Sequence, residues 1–116
     1  MIKVIIAGSR SFSNYKLLAK TCDFMLQNHM EIEIVSGMSD GADRLGELYA
    51  EENGYGIKEF SADWANHGDS AGPIRNKQMA EYANALIAFW DGSSKGTKIM
   101  ISMAKDAGIK VKVCEY

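Results

Sequence analysis

The sequence predicts an α/β fold in which a five-stranded parallel sheet is flanked by helices on both faces. Three observations carry this prediction. Short β-branched runs alternate with longer segments whose apolar residues recur at helical spacing, giving the order β-α-β-α-β-α-β-α-β along 116 residues. The first run, residues 2–7, is apolar on both faces, as a central parallel strand requires. The long turns made of Gly, Ser and Asp all follow strands, so they gather at the carboxyl edge of the sheet, where open α/β folds bind ligands.

Each element has its own signal. After the strand at 2–7 comes a small, polar loop from Gly8 to Phe12. Ser13 or Asn14 then caps a helix with Leu17, Leu18, Thr21, Cys22 and Met25 on one face. The run 32–35 is the second strand. It leads into the small, polar stretch 36–43, where Asp40 is a suitable N-cap and the free amides of a helix start attract an anion. The second helix spans about 41–53, with Ala42, Leu45, Leu48 and Tyr49 apolar, and Gly54 ends it. The third strand is 57–60. Residues 61–72 read as one long irregular segment, a length usually reserved for function. Pro73 suits the first position of a third helix carrying Ile74, Met79, Tyr82 and Ala83. A strand at 85–90, a polar turn at 91–97 and a helix with Ile99, Met100, Met103, Ala104 and Ala107 follow. Gly108 stops that helix before a last strand at 109–114.

At this length the chain reads as one domain, 1–116, with room for a real core. Hydrophobic residues make up 47% and charged residues 24%, ordinary for a soluble globular protein. A net charge of -2 supplies no general footprint for nucleic acid or a membrane surface. No apolar run is long enough to span a bilayer. The start of the chain has no charged n-region before its apolar run and reads as a buried strand rather than a targeting segment. Cys22 and Cys114 fall in a helix and a strand, which suggests packed thiols in a reducing cytoplasm. No metal-ligand spacing occurs, and no metal or cofactor is expected.

The residue types at the carboxyl edge narrow the ligand. Arg10, Arg44 and Arg75 all sit in or beside the polar turns, and arginine suits bidentate contact with phosphate or carboxylate. For Arg10 and Arg75 the choice lies between ligand contact and pairing with a carboxylate; Arg44, inside the second helix, reads as a surface or structural residue. Asp43, Asp63 and Asp91 either accept from ribose hydroxyls or hold their loops. Trp64 either stacks on a base or anchors packing. His67 reads as a solvated loop residue. Ser9 and Ser36 have no visible base partner, so nucleophilic catalysis has little support.

Four motifs stand in this order on matching elements: Ile6-Ala7-Gly8-Ser9-Arg10, Ser36-Gly37-x-x-x-Gly41-Ala42-Asp43, Gly72-Pro73-x-Arg75-Asn76 and Gly92-x-x-x-Gly96-Thr97. Together they resemble the SLOG superfamily, which joins the DNA-processing Smf/DprA proteins and the LOG-type phosphoribohydrolases, and within it the small YspA-like branch found in bacteria and phages. The similarity spans nearly the whole chain. It implies a Rossmann-like three-layer sandwich that binds a nucleotide-derived ligand, such as an ADP-ribose derivative or a nucleoside phosphate. It also implies self-association into a dimer or larger homo-oligomer. The candidate ligand-binding residues are Gly8, Ser9 and Arg10; Ser36, Gly37, Gly41, Ala42 and Asp43; Asp63, Trp64, Gly72, Pro73, Arg75 and Asn76; and Asp91, Gly92, Ser94, Gly96 and Thr97.

LOG-type enzymes carry a glutamate three residues after the threonine of their Gly-Thr turn. Here that position is Met100. The favoured expectation is therefore a module that senses or sequesters a nucleotide-derived signal, in a phage or defence setting. An N-glycosidic hydrolase is the alternative. A DprA-like nucleic-acid-associated protein is the second, disfavoured by the charge balance.

Overall fold

The structure, a computed structural model, describes residues Met1–Tyr116. Its sheet is parallel throughout, with the order β3-β2-β1-β4-β5. The strands are β1 (Ile2–Gly8), β2 (Ile32–Ser36), β3 (Gly56–Glu59), β4 (Ala85–Trp90) and β5 (Lys110–Glu115). The chain runs outward from β1 through β2 to β3, then returns to the other side of β1 as β4. The order thus reverses between β1 and β4, the place where such sheets leave a crevice beyond their carboxyl ends.

Pleating divides β1 between two cores. Val4 and Ile6 face a cluster that includes Leu18, Cys22 and Leu26 of α1 (Tyr15–Leu26) and Ala42, Tyr49 and Ala50 of α2 (Ala42–Asn53). Ile5 and Ala7 face Met79 and Ala80 of α4 (Ala71–Tyr82) and Met100, Ile101 and Ala104 of α5 (Lys95–Asp106). Helices therefore cover both faces in three layers. A fully buried Leu18, at 0% exposure, contributes about 1.5–3 kcal/mol of transfer free energy. No helix is long and apolar enough to cross a membrane.

Several elements depart from the sequence expectations. Residues 61–72 are not one irregular loop. They hold the short helix α3 (Trp64–His67), capped by Asp63, then a 3-10 turn (Gly68–Ser70) that runs into α4. Pro73 is accordingly the third residue of α4, not the first. Amides of the first helical turn have no intrahelical acceptor, so a missing N–H costs nothing there. Asp40 is not the cap of α2. Gly41 is, at φ 78°, because the chain enters the helix through a backbone geometry that disfavours a side chain.

Asn14, rather than Ser13, caps α1, its side chain accepting from the Leu17 amide. Strands β3 and β5 each lie one residue off their expected spans. Met25, Leu48, Ile74, Ile99 and Ala107 were expected on buried faces and are exposed. The buried stripes instead take in Leu26, Ala50, Ala80 and Ile101, which lie three or four residues from other core positions of their own helices.

Candidate functional site

Three strand-to-helix turns and the start of α4 meet at the carboxyl edge. The first turn is pinned by Phe12, which is 3% exposed and packs on Phe89 and Tyr116 with ring centroids 4.9 and 4.8 Å away. Behind it, the Ser9 amide donates to the Phe89 carbonyl and the Ser9 Oγ accepts from the Asp91 amide at 3.2 Å. The Ser9 hydroxyl is thus a brace across the switch point. Arg10 is left exposed on this fixed loop, with no protein hydrogen-bond partner and no carboxylate at ion-pair distance.

The turn after β2 is bound up in its own contacts. Ser36, fully buried, donates to Glu47 Oε2 at 2.6 Å and accepts from the Met38 amide at 3.1 Å. The Ser39 amide donates to Asp43 Oδ2 at 3.3 Å, and the Ala42 amide donates to the Ser9 carbonyl. Met38 is held at φ 65°, a left-handed geometry that costs a non-glycine residue about 1–3 kcal/mol. Three amides of this stretch, those of Met38, Ser39 and Ala42, are therefore already engaged, and only the last belongs to the first turn of α2.

Asp43, 5% exposed, lies beneath Gly37. Burial pushes its carboxyl up to about 6, partly offset by the Ser39 amide and by the positive charge of Arg75. Arg75 reaches across from α4. Its Nη1 donates to the Gly37 carbonyl at 2.6 Å and its Nε donates to Asn76 Oδ1 at 3.0 Å. These bonds hold the guanidinium plane while leaving Nη2 free. Burial lowers the Arg75 pKa from its ordinary value, with Arg10 nearby acting in the same direction. Asn76 is 7% exposed; its Nδ2 donors have no protein acceptor and open on the cavity.

The turn after β4 is built differently. Asp91 Oδ1 accepts from the Ser93 and Ser94 amides at 2.9 and 2.8 Å, which holds its carboxyl below the ordinary range. The chain's own carboxylate thereby occupies the two amides just ahead of α5 (Lys95–Asp106). The Thr97 and Ser94 hydroxyls pair at 3.2 Å.

These parts enclose two adjoining cavities. The inner one, of about 460 Å³, is lined by Gly8, Ser9, Arg10, Asp43, Arg75, Asn76, Asp91, Ser94, Gly96 and Thr97 among the expected residues. The outer one, of about 320 Å³, is lined by Gly37, Trp64, Arg10 and Arg75. Seven expected residues line neither. Ser36 and Ala42 are buried below the turn, Gly41 is occupied in starting α2, and Asp63 caps α3 through the Asn66 amide. Gly72 and Pro73 lie within α4, and Gly92 is exposed in its turn.

Sequence reasoning passed over Ala7, Ser11, Met79 and Met100 in the inner cavity, and Ser61 and Ala62 in the outer, while Met38, Ser39 and Asp40 fall in the 36–43 stretch that it places at the site. Arg44 reaches the outer rim but pairs with Glu47 at 3.0 Å, the structural role expected of it. Ser11 was findable as the neighbour of Arg10. Met79 and Met100 carry no such signal, because they are core residues whose edges happen to form cavity wall. No group of three His, Cys, Asp or Glu side chains is placed to hold a metal ion.

Comparison with known proteins adds three findings. The family model YAcAr, described as the YspA, cpYpsA-related SLOG family, matches residues 2–67. The Gene 61 protein of Mycobacterium phage D29 is 30% identical over 118 residues, covering 96% of this chain and 94% of the phage protein. The X-ray structure of DNA processing protein A (DprA) from Streptococcus pneumoniae matches with a TM-score of 0.76 at 23% identity, over 97% of this chain and 50% of that one. This chain thus spans half the length of that DprA chain, and at such identity the likeness speaks for the Rossmann-like fold alone. On the family match and the phage relative together, the chain belongs to the YspA, cpYpsA-related SLOG family.

Proposed function

We propose that this protein binds a phosphorylated, nucleotide-derived ligand, such as a nucleoside phosphate or an ADP-ribose derivative, and that it senses or sequesters the ligand. One observation carries the reading. Two guanidinium groups, Arg10 on the β1 turn and Arg75 on α4, line the same cavities at the switch point, and neither has a carboxylate at ion-pair distance. An arginine fork without an anion, in a concave polar site, suits a phosphate supplied from outside. The phage relative is consistent with a phage or defence setting.

Calorimetry against AMP, ADP-ribose, NAD and cyclic dinucleotides tests this, alongside mass spectrometry of nucleotides that co-purify. No heat and no co-purifying nucleotide would count decisively against it. Arg10→Ala should weaken binding roughly ten- to a hundredfold, since a charged hydrogen bond contributes about 1.5–3 kcal/mol. Its melting temperature should not fall, because Arg10 has no partner to lose and its charge opposes that of Arg75. Arg75→Ala should lower both affinity and melting temperature, because it also removes the bond to Gly37.

A second reading, N-glycosidic hydrolysis, has one observation in its favour. Asp43 is a buried carboxylate of raised pKa in the cavity wall, of the kind that could stabilise an oxocarbenium-like state. The position of the LOG-type glutamate holds Met100, 2% exposed and packed in the core. Multiple turnovers of AMP to free base and ribose phosphate, abolished in Asp43→Asn, would establish the enzyme instead.

A further inference from the structure

Helices cover the two faces of the sheet unevenly. On one face α5 packs on β4 and β5 and α4 packs on β1; on the other, α2 packs on β1, β2 and β3. Each face thus leaves a strip of sheet at one edge, β3 on the α4 side and β5 on the α1 side. The β3 strip is closed by its own side chains. Tyr82 packs edge-on against Phe60 with ring centroids 5.5 Å apart, and its hydroxyl donates to Glu33. Lys3 Nζ stands 4.2 Å from the centre of the Tyr82 ring, and Lys58 Nζ lies over both rings.

The β5 strip is open. Pairing of Ala85 with Lys110 and of Ile87 with Lys112 puts both lysines on the α1 face, while Val111 and Val113 turn to the α5 core. Between these lysines and the end of α1 lies a cavity of about 180 Å³, with an apolar floor that includes Val4, Leu26 and Ile87. Its only polar lining residues are His29, Lys110 and Lys112. Neither lysine has a carboxylate at ion-pair distance. On the α1 side, Phe24 is 70% exposed and Met25 39%. Lysines on an edge strand deter unwanted strand pairing, but that role calls for neither an apolar floor nor an exposed phenylalanine. The cavity is smaller than small-molecule sites, about 300–1,000 Å³, and suits protruding side chains instead.

We infer that this strip docks an acidic amphipathic helix of a partner protein. The apolar stripe of that helix seats against Phe24, Met25 and the cavity floor, and carboxylates on its flank pair with Lys110 and Lys112. An exposed apolar patch rimmed by charge of one sign selects a partner of the opposite sign. A helix is the element that covers parallel sheet, and a groove between a helix and a strand accepts one along its length. Ile2, Ala85 and Lys110 each begin a strand, so the surface lies at the amino ends, away from the arginine cavities at the carboxyl edge.

Fluorescence anisotropy of the full chain with two labelled synthetic helical peptides reads this directly. Both peptides carry leucine at i, i+3, i+4 and i+7 spacing; one has glutamate on its flanks and the other lysine. The glutamate peptide is expected to bind at least tenfold more tightly. Lys110→Glu combined with Lys112→Glu should reverse that preference, and Phe24→Ser should weaken the glutamate peptide roughly tenfold. Lys58→Glu, on the closed strip at the other edge, should leave it unchanged. All four side chains are exposed, so circular dichroism of each variant should match the parent. In amide NMR spectra the glutamate peptide should shift residues 21–26 and 110–114. Equal affinity for the two peptides, no binding of either, or shifts centred on Arg10 and Arg75 would overturn the assignment. So would a dimer of the protein alone in sedimentation that Phe24→Ser dissociates, since a second copy would then hold the strip.

Discussion

The turn after β2 and the turn after β4 read almost alike in sequence, both short, polar and glycine-bearing, yet they are opposite structures. Residues 37–43 are packed from beneath and above. A Cβ at Gly37 would lie 2.8 Å from Asp43 Oδ2 and 3.2 Å from Arg75 Nε, and one at Gly41 would run into the carbonyl groups of Ser9 and Arg10. Residues 91–97 stand largely in the open. Nothing lies within 4 Å of a Cβ built at Gly92 or Gly96, and the turn is shaped by its own Asp91. Glycine in the first turn leaves room for neighbouring elements; in the second it meets only a local backbone demand. A glycine pattern marks where a site can be, and the tertiary neighbours decide what the glycine is for.

The largest test of this contrast is Gly41→Val. It combines a positive φ with contact against two backbone carbonyls that cannot swing aside, and it should cost about 3 kcal/mol or more. Chemical denaturation with an unchanged midpoint would show that the two turns are equally tolerant.

Next in size is the pH response of the packed turn. The Asp43 carboxyl ionises near pH 6 in the fold and near about 4 in an unfolded chain. The folded state therefore holds the extra proton between those values, and stability should fall as pH rises through that window, by about 2–3 kcal/mol. Below the window both states are protonated and no penalty applies; above it the penalty is constant. Asp43→Asn, which retains an acceptor for Ser39, should flatten this slope in melts taken from pH 4 to pH 7. A slope identical to that of the parent would mean that another group carries it.

The smallest effect belongs to the open turn. Gly96 is the second residue of α5, and Gly96→Ala should be neutral or raise stability by up to about 1 kcal/mol, as expected where a helical glycine gains a methyl group at no steric cost. A loss of stability comparable to that of Gly41→Val would erase the distinction between the turns.

The order of strands and helices, the centrality of β1 and the gathering of polar turns at one edge were all legible in the sequence. They follow from hydrophobic periodicity, from β1 being apolar on both faces, and from the rule that parallel strands all end on the same side. Periodicity also places most of the core, and it fails where an apolar residue stands singly on an outer face, as Ile74 and Ile99 do. The folding of residues 64–70 into two short helical turns was not legible, because so few residues carry no period.

What only the tertiary structure decided is how backbone donors are shared. Ser39 gives its amide to Asp43, Ser93 and Ser94 give theirs to Asp91, and Arg75 divides its donors between Gly37 and Asn76 while keeping Nη2 free. Four of these bonds span one to four residues, whereas the bond from Arg75 to Gly37 joins β2's turn to α4 at a separation that no spacing along the chain encodes. Residue types placed arginine, aspartate and glycine at the sheet edge. Which of their hydrogen bonds remain open to a ligand is settled only once the neighbours are in place, since a buried donor or acceptor takes whatever partner the fold brings within reach.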